Sequence, residues 1–386
     1  MTFYQRQGEI PGKKHITFYQ EGQSKLYREE LMSSKGFSGI YSTLYHANPP
    51  TQVKEIRPMM HTPAEIWEDA PFEYFHFVTG EKRIEGPQHL ARIDYLANSD
   101  LIVSTVRPTE NSDHFYKNAG AHELIFVHHG SGVCLSQFGT LDVVAGDYLV
   151  LPKGTIYQLQ FENPEAVKLL VVESQSPFEI PNNFRNEFGQ MLEHAPYSER
   201  DFKTPVLNQV FTDYNDYELD VKKGKRFHSY LLDHHPFDVI GWDGYHFPFT
   251  FNINDYAPIV GKIHQPPPAH SVFSTPRFVI CNFVPRLLDF HPNSIPAPYF
   301  HSNVDCDEVL YYVSGNFTSR KGITEGSITL HPMGIPHGPQ PGKTEASLGK
   351  EKTDEVAVMI DTFAPLKLTK HVQSTMVEDY YRSWLE

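Results

Sequence analysis

The sequence predicts a mainly β protein with few helices, and three observations carry this prediction. Short runs rich in aromatic and β-branched residues recur along the chain, with Gly, Pro, Asn or Asp near most of their ends. Patterns typical of helices are scarce. Two segments repeat one arrangement of glycine, proline and acidic residues, which indicates an internal duplication. Regular short strands favour sandwiches or barrels over alternating strands and helices.

Ten runs form the predicted strands, five in each half of the chain. They are Phe72–Val78, Leu101–Val106, Glu123–Val127, Asp147–Leu151, Lys168–Glu173, Phe249–Ile253, Phe278–Val284, Val309–Val313, Ser327–Leu330 and Val356–Ile360. The candidate helices are Asn182–Glu193 and Ser374–Leu385. We expect the polar segment Ser174–Pro205 to connect the two strand-rich halves and Gly338–Asp354 to form an exposed loop. Because that loop follows a candidate metal ligand, a lid is the alternative.

Composition excludes several classes of protein. A chain of 386 residues with 40% hydrophobic residues can bury a substantial core in two or three domains. The formal net charge of −14 argues against non-specific binding of nucleic acid. No apolar run approaches the roughly 20 residues of a membrane span, and Met1–Lys14 lacks the apolar centre of a signal peptide, so we expect a soluble cytoplasmic protein. Three widely spaced cysteines disfavour a disulfide framework.

The second copy of the duplicated motif lies in the C-terminal third of the chain. Glu308 is followed by six residues and Gly315, and Gly326 then opens the run GSITLHPMGIPH, which ends at His337. The glycines and prolines predict turns between strands. Since alternate residues of a strand face one side, a histidine and a carboxylate on neighbouring strands can converge on one point.

The first copy has the same spacing and different polar residues. Glu123 is followed by six residues and Gly130, and Gly146 then opens GDYLVLPKGTIY, which ends at Tyr157. Tyr157 therefore occupies the position that a histidine has in the second copy. We interpret the nearby His122, His128 and His129 as surface or structural residues, because none of them has the spacing of a ligand.

This spacing resembles the two signature motifs of the cupin superfamily, whose members are small antiparallel barrels or jelly rolls. Two copies imply a bicupin, with two cupin-like β-barrel or jelly-roll domains. We expect residues 1–180 to form an N-terminal β domain with a metal-less cupin-like barrel. Residues 181–255 would be a connecting segment with strands, and residues 256–386 a C-terminal metal-binding cupin domain.

A full set of candidate metal ligands is present only in the second copy. His301 precedes Glu308 by seven residues and His337 closes the motif, giving two imidazoles and one carboxylate. Such a triad leaves three coordination positions open and suits a non-haem Fe(II) enzyme. Asp307 is the rival carboxylate, but only Glu308 keeps the interval to Gly315. In the first copy, Tyr116 and Asn118 occupy the positions seven and five residues before Glu123.

Longer stretches resemble the homogentisate 1,2-dioxygenase family, iron enzymes that open an aromatic ring in tyrosine and phenylalanine catabolism. The similar stretches are KGKRFHSYLLDHHPFDVIGWDGYHFPFTFNINDYAPI, PPPAHSVFSTPRFVICNFVPR, PAPYFHSNVDCDE, LHPMGIPHGPQ and the closing VEDYYRSWLE. The N-terminal run LYREELMSSKGFSGIYSTLYHANPP is a weaker match. The resemblance covers most of the chain and is dense from about Lys225 onward.

The resemblance implies roles for individual residues. Fe(II) would be held by His301, Glu308 and His337, with His331 and Asn303 beside the substrate. His264 resembles the histidine that takes the phenol proton, and His270 is its rival.

Two residues depart from the family pattern. Phe317 stands where a tyrosine that touches the substrate is expected, and Arg320 stands where a lysine is expected. Arginine can still pair with a carboxylate, even in bidentate fashion. The interval from His301 to Glu308 is also one residue longer than in the animal enzymes, which suggests a divergent bacterial-type branch.

The implied reaction is the conversion of homogentisate and O₂ to maleylacetoacetate. The partners would be a small aromatic substrate and O₂, in a homo-oligomer of the trimer or hexamer type. Phe317 favours one alternative, a ring-cleaving dioxygenase for a related hydroquinone or catechol such as gentisate. A metal-dependent cupin isomerase and a storage or ligand-binding bicupin are further alternatives, and the complete ligand set of the second motif argues against the last.

Overall fold

The computed structural model describes residues 3–317 and 319–385, and strands dominate this part of the chain. The first fourteen strands are β1 (Gln5–Gly8), β2 (Arg28–Ser33), β3 (Tyr41–His46), β4 (Glu55–Met59), β5 (Phe75–Phe77), β6 (Arg92–Ala97), β7 (Leu101–Val106), β8 (Phe115–Asn118), β9 (His122–His129), β10 (Gly132–Ser136), β11 (Gly139–Val143), β12 (Asp147–Leu151), β13 (Ile156–Phe161) and β14 (Lys168–Ser174). The others are β15 (Phe202–Lys203), β16 (Tyr217–Lys223), β17 (Arg226–Leu232), β18 (Val239–Gly244), β19 (Phe249–Asn252), β20 (Ser271–Ser274), β21 (Phe278–Phe283), β22 (Arg286–Leu287), β23 (Asp307–Ser314), β24 (Ile328–His331), β25 (Lys352–Thr353), β26 (Val356–Thr362) and β27 (Lys367–Leu368).

Helices are short throughout the described residues. The α-helix α1 spans Lys343–Ser347. The 3₁₀ helices are Pro164–Ala166, Asn182–Phe184, Glu199–Asp201, Ile253–Asp255, Pro267–His270, Lys370–Ser374 and Tyr380–Trp384. In the part of the chain that the structure covers, no helix combines the length and the apolar character needed to cross a membrane.

Two large sheets form the N-terminal unit. One has eight strands in the order β15-β19-β12-β9-β14-β7-β6-β27, and the other has seven in the order β11-β10-β13-β8-β16-β17-β4. Buried side chains from both sheets, such as Ile125, Leu149 and Leu159, fill the space between them. A four-stranded sheet, in the order β1-β18-β3-β2, adjoins this unit. The arrangement is a double-layered β structure of the predicted jelly-roll kind.

The C-terminal sheet has six strands in the order β20-β21-β26-β23-β24-β5. Val309 and Ile360 from one of its faces join the same core as Phe126 and Tyr148 of the eight-stranded sheet. The two units therefore share a large apolar core. Because successive side chains of a strand alternate between faces, Glu308 must point to the other face. The C-terminal motif thus lies on the face turned away from the N-terminal unit.

Strands pass between the N-terminal unit and the C-terminal sheet. The early strand β5 pairs with β24 in the C-terminal sheet, whereas the late strand β27 pairs with β6 in the N-terminal unit. The intermediate strands β16 and β17 complete the seven-stranded sheet, and β19 pairs with β12 in the eight-stranded sheet. Most of residues 181–255 therefore packs with the N-terminal unit.

All ten predicted strands overlap observed strands, but both predicted helices are wrong. Within Asn182–Glu193 only a three-residue 3₁₀ helix forms. The Asn186 side chain accepts hydrogen bonds from the backbone of Phe188 and Gln190, which competes with helical bonding. The terminal helix is reduced to 3₁₀ turns because Asp379 adopts a left-handed backbone with φ of 54°.

The predicted loop Gly338–Asp354 is more ordered than expected. It contains α1 and the short strand β25, which pairs with β22. Ser347 is fully buried, and its hydroxyl oxygen accepts a hydrogen bond from the backbone nitrogen of Ala297 at 3.1 Å. Ser347 therefore anchors the segment, while residues 348–352 are exposed, as expected of a surface loop.

His46 of β3 forms a buried ionic cluster that predicts a pH-dependent stability. Its Nδ1 lies 2.7 Å from Asp238 Oδ1 and its Nε2 lies 3.0 Å from Glu30 Oε2. Burial alone would lower the pKa of His46, but the hydrogen bonds with Asp238 and Glu30 raise it to about 9. A protonated imidazole that donates to both carboxylates therefore stabilises the folded state.

We expect His46→Gln to lower the free energy of unfolding most below pH 6.5 and least above pH 9. The pKa of His46 is higher in the folded chain than in the unfolded chain, so its contribution is fully present below the unfolded value and is lost as pH rises through about 9. The difference between the folded and unfolded pKa values corresponds to roughly 3 kcal/mol of stability. Free energies of unfolding of both proteins between pH 6 and pH 10 test this, and a difference that is flat or grows with pH would contradict it.

Candidate metal centre

The register of the C-terminal sheet places three polar side chains side by side. Glu308 on β23 lies opposite His331 on β24 and opposite Asp361 on β26. Directly opposed residues project from the same face of an antiparallel sheet. Glu308, His331 and Asp361 therefore form a polar row on the outer face.

His301 and His337 come from two loops that meet beside this row. Their backbones form an isolated antiparallel bridge, in which the His301 nitrogen donates to the His337 carbonyl at 2.9 Å and the His337 nitrogen donates to the His301 carbonyl at 2.8 Å. Gly334 donates in the same way to the carbonyl of Asn303 at 2.7 Å. This bridge brings the two imidazole rings to a centroid distance of 4.3 Å.

The structure brings His301, Glu308 and His337 together, with their ligand atoms within 4.8 Å of one another. His301 Nε2 lies 3.7 Å from Glu308 Oε2, and His337 Nε2 lies 3.4 Å from Glu308 Oε1. Burial of Glu308 favours its neutral form, but the neighbouring imidazoles of His301, His331 and His337 hold the pKa of this carboxyl well below its usual range. The cluster therefore presents a carboxylate to any cation between the rings.

Backbone carbonyls fix the orientation of both imidazoles. His301 Nδ1 lies 3.1 Å from the Tyr299 carbonyl, and His337 Nδ1 lies 3.2 Å from the Ile335 carbonyl. Since a carbonyl oxygen can only accept, each Nδ1 carries the proton and each Nε2 keeps its lone pair. His337 Nε2 is buried without a hydrogen-bond partner.

These residues fit a divalent metal. Two free imidazole nitrogens and one carboxylate on one side of the cation form a facial triad that leaves positions open for other ligands.

Asp307, the rival carboxylate, faces away from the cluster. Its oxygens accept hydrogen bonds from the backbone nitrogens of Met333 at 2.8 Å and Leu366 at 2.6 Å. Asp307 therefore holds two loops in place.

His331 contacts the carboxylate of the cluster. Its Nδ1 donates to Glu308 Oε1 at 2.7 Å, and its Nε2 accepts from the Arg320 guanidinium at 3.3 Å. Burial, opposed by Glu308, lowers the pKa of His331 to about 4, so the ring is neutral with one donor and one acceptor nitrogen. In the structure, His331 thus links Arg320 to Glu308.

Phe317 and Asn303 lie outside the ligand cluster. Phe317 is 8% exposed and packs edge-on against Tyr312, at a centroid distance of 4.6 Å, within a small apolar cluster. Asn303 is half-buried in the loop that carries His301. Neither side chain contacts the three clustered residues directly among the described contacts.

His264 lies beside a cavity of about 530 Å³. Tyr299, two residues before His301, lines the same cavity, and its ring lies 5.0 Å from that of His264. Asp289 Oδ2 is 3.7 Å from His264 Nδ1. His270 is instead buried, at 4% exposure, with its ring 5.5 Å from Phe283. Of the two candidate bases, His264 therefore lines an open cavity, whereas His270 is buried.

The first copy of the motif shares its backbone with the second. Gly146 and Gly326 have φ values of 90° and 78°, and Gly154 and Gly334 have 88° and 78°. These left-handed conformations are ones that glycine adopts readily, which explains the repeated spacing. The duplication seen in the sequence thus corresponds to the same two glycine turns in both copies of the motif.

In the first copy, the side chain of Arg92 fills the position between the ligand slots. Its guanidinium donates to Glu123 at 2.5 Å, and Glu123 also accepts from Tyr116 at 3.2 Å, Asn118 at 3.1 Å and Tyr157 at 2.7 Å. All four residues occupy motif positions. An internal cation therefore stands among the residues that correspond to the metal ligands of the second copy.

We expect Arg92→Met to destabilise the fold by about 3–5 kcal/mol, because it leaves Glu123 and Glu173 buried with too little counter-charge. Chemical denaturation measures this. The matched control is Arg57→Met, which removes an exposed pair with Glu218 and should cost less than about 1 kcal/mol. An equal effect of both substitutions would contradict a special role for the buried cation.

The sequence did not reveal two residues of these sites. Asp361 lies opposite Glu308, its Oδ1 has no hydrogen-bond partner, and burial followed by the charge of Glu308 raises its pKa to about 8. Arg92 lies 31 residues before its partner Glu123. Only Asp361 carried a signal in the sequence, since it directly follows the predicted strand Val356–Ile360.

Two copies of one motif on packed β-sheets define a bicupin, and the second copy brings two histidines and one carboxylate together as a candidate metal centre. The chain belongs to the homogentisate 1,2-dioxygenase family. The family models described as "Homogentisate 1,2-dioxygenase N-terminal" and "Homogentisate 1,2-dioxygenase C-terminal" match residues 23–253 and 257–386.

Curated relatives agree with this family. A protein of Saccharolobus solfataricus named "Putative dioxygenase" is 42% identical over 100% of this chain and 99% of its own length. A homogentisate 1,2-dioxygenase of Bradyrhizobium diazoefficiens is 26% identical over 93% of this chain and 86% of its own.

Solved structures are more distant. A cupin 2 conserved barrel domain protein from Leptotrichia buccalis is 10% identical with a TM-score of 0.32, over 81% of this chain and 98% of its own. A variant of Bacillus subtilis oxalate decarboxylase is 15% identical with a TM-score of 0.35, over 77% and 79%. These similarities are too distant to bear on function.

Proposed function

We propose that the protein is an Fe(II)-dependent dioxygenase that converts homogentisate and O₂ to maleylacetoacetate. The observation that carries the proposal is the His301–Glu308–His337 cluster, whose two Nε2 atoms are free to bind a metal. Family membership supports the reaction class. The arrangement of ligands suits Fe(II), which needs open positions for a substrate and O₂.

Bound iron would supply a site at which an electron-rich phenol and O₂ exchange electrons. The protein's own groups set the charge and the orientation of the ligands that would hold the metal. Glu308 supplies the negative charge, and the backbone carbonyls of Tyr299 and Ile335 hold the two imidazoles. Hydrogen bonds of this kind raise ligand basicity and fix ring orientation.

His264 is proposed to accept the phenol proton. Burial lowers its pKa, opposed by Asp289, so its ring is neutral near pH 7 and can act as a base. It lines the cavity with Tyr299, Phe300 and Ile295, whose apolar surfaces suit an aromatic ring. The volume of about 530 Å³ is ample for a single-ring substrate.

Arg320 is proposed to hold the acetate arm, with His331 and Asn303 beside the substrate. Arg320 is 7% exposed, and its Nε has no hydrogen-bond partner in the described structure. A buried guanidinium with an unpaired donor favours an anionic ligand. Its hydrogen bonds to His331 and to the carbonyls of Ser319 and Gly338 leave part of its donor capacity unused. Assembly into a trimer or hexamer is part of the same proposal.

Turnover under ¹⁸O₂ tests the reaction class. Cleavage of homogentisate by a dioxygenase places both labelled atoms in the ring-opened product, because its formula equals that of the substrate plus O₂. Mass spectrometry of the product distinguishes this from a single incorporated atom. A product without label would indicate redox-neutral chemistry of the isomerase kind.

One observation favours a related substrate such as gentisate. Phe317 has no hydroxyl and packs in the apolar cluster around Tyr312, so it offers no hydrogen bond to an acetate arm. A carboxylate attached directly to the ring, as in gentisate, would be bound by a group that lies closer to the ring. Comparing kcat/KM for homogentisate and gentisate decides between the two.

A further inference from the structure

The C-terminal turn Tyr380–Trp384 packs against residues that surround the candidate metal centre. Trp384 packs under the Arg320 guanidinium, with the charged carbon 5.4 Å from the ring centroid. Its indole nitrogen donates to the Gly338 carbonyl at 3.1 Å, and Arg320 donates to the same carbonyl at 2.7 Å. Gly338 directly follows the candidate ligand His337. The turn thus has two contacts with the metal centre's supporting residues.

A continuous chain of contacts runs from this turn to the carboxylate of the cluster. Trp384 supports Arg320, Arg320 donates to His331 Nε2 at 3.3 Å, and His331 donates to Glu308 Oε1 at 2.7 Å. His331 is fully buried and has both ring nitrogens engaged by these contacts. Its proton position is therefore set, because a guanidinium can only donate.

Tyr74, from the N-terminal part of the chain, packs against both Trp384 and His331. Its ring lies 4.9 Å from that of Trp384 and 6.2 Å from that of His331, measured between centroids. Its hydroxyl donates to the Pro336 carbonyl, one residue before His337. Trp384 is therefore held between Tyr74 and Arg320 and does not pack in a separate core.

We infer that Trp384 is a positioning residue for the metal ligand Glu308, acting through Arg320 and His331. The inference rests on the metal centre of the proposed function and adds to it a role for the C-terminal turn. Cation–π contact with a tryptophan face orients a guanidinium. Groups that hydrogen-bond to a ligating carboxylate change metal affinity by about 10–100-fold when they are removed.

Metal titration with spectroscopy tests the inference without any turnover. We expect Trp384→Ala to weaken Co²⁺ binding about tenfold or more and to shift the visible absorption spectrum of the bound ion. Trp384→Phe keeps a stacking ring and should restore most of the affinity. The matched control is Tyr381→Ala on the same turn, whose side chain contacts Arg382 and not Arg320. It should bind Co²⁺ within about twofold of the parent.

A double variant separates positioning from general loss of packing. If the effect passes through Arg320, Trp384→Ala combined with Arg320→Met should weaken binding less than the product of the two single effects. Unchanged affinity and spectrum in Trp384→Ala would overturn the inference, as would an equal loss in Tyr381→Ala. The parent and its variants could show the expected Co²⁺ results while the Fe²⁺-loaded parent consumes no O₂ with homogentisate. That outcome would refute the proposed function and leave this inference standing.

Discussion

Glu308→Ala should lose its metal and with it all measurable turnover. Glu308 is the only carboxylate in the ligand cluster, and its oxygens lie 3.7 Å and 3.4 Å from the two Nε2 atoms. Without it, two neutral imidazoles remain to hold a dication. We expect metal affinity to fall by more than the roughly 100-fold that loss of an outer hydrogen-bonding partner can cost.

Metal content by elemental analysis after gel filtration, with O₂ uptake on the same samples, measures the effect. Asp305→Ala is the matched control, because Asp305 is an exposed acid in the loop between His301 and Glu308. It should retain metal and activity. Full metal content and turnover in Glu308→Ala would show that the triad is assigned wrongly.

His264→Gln should lower kcat by about 10²–10⁴-fold while leaving metal content unchanged. The proposed base acts on the substrate, and its nitrogen atoms are not in the ligand cluster. Burial, opposed by Asp289, lowers the pKa of His264. The parent enzyme should therefore keep its activity on acidification until pH falls below the usual histidine range, and that acid limb should disappear in the variant.

His270→Gln distinguishes the two candidate bases. His270 is buried against Phe283, and burial, with smaller effects of Arg286 and His264, lowers its pKa to about 4. We expect its kcat to stay within tenfold of the parent once thermal melting shows that the variant is folded. A larger loss in His270→Gln than in His264→Gln would exchange the two roles.

Local patterns in the sequence predicted the strands and the duplicated turns. Runs of aromatic and β-branched residues, as in β9 and β23, and glycines such as Gly146 and Gly326 at left-handed positions depend on nearest neighbours in the chain. The helices failed because side-chain hydrogen bonds at Asn186 and the left-handed Asp379 outweighed helical propensity. Such competition is not visible in composition.

The sequence predicted the set of clustered residues but not what surrounds them. His301, Glu308 and His337 are recognisable because motif spacing fixes where turns and strands meet. Arg92 in the first copy and Trp384 beside the second reach their partners through the tertiary fold, across sequence intervals that carry no regular signal. The exchange of β5 and β27 between the two units is of the same kind.

O₂ consumption by anaerobically Fe(II)-loaded protein, with homogentisate and gentisate as parallel substrates, tests the proposed function most directly. The account predicts uptake of one O₂ per homogentisate, together with a ring-opened product, and slower uptake with gentisate. Absence of uptake with homogentisate, in protein confirmed to hold iron at the His301–Glu308–His337 site, would contradict it.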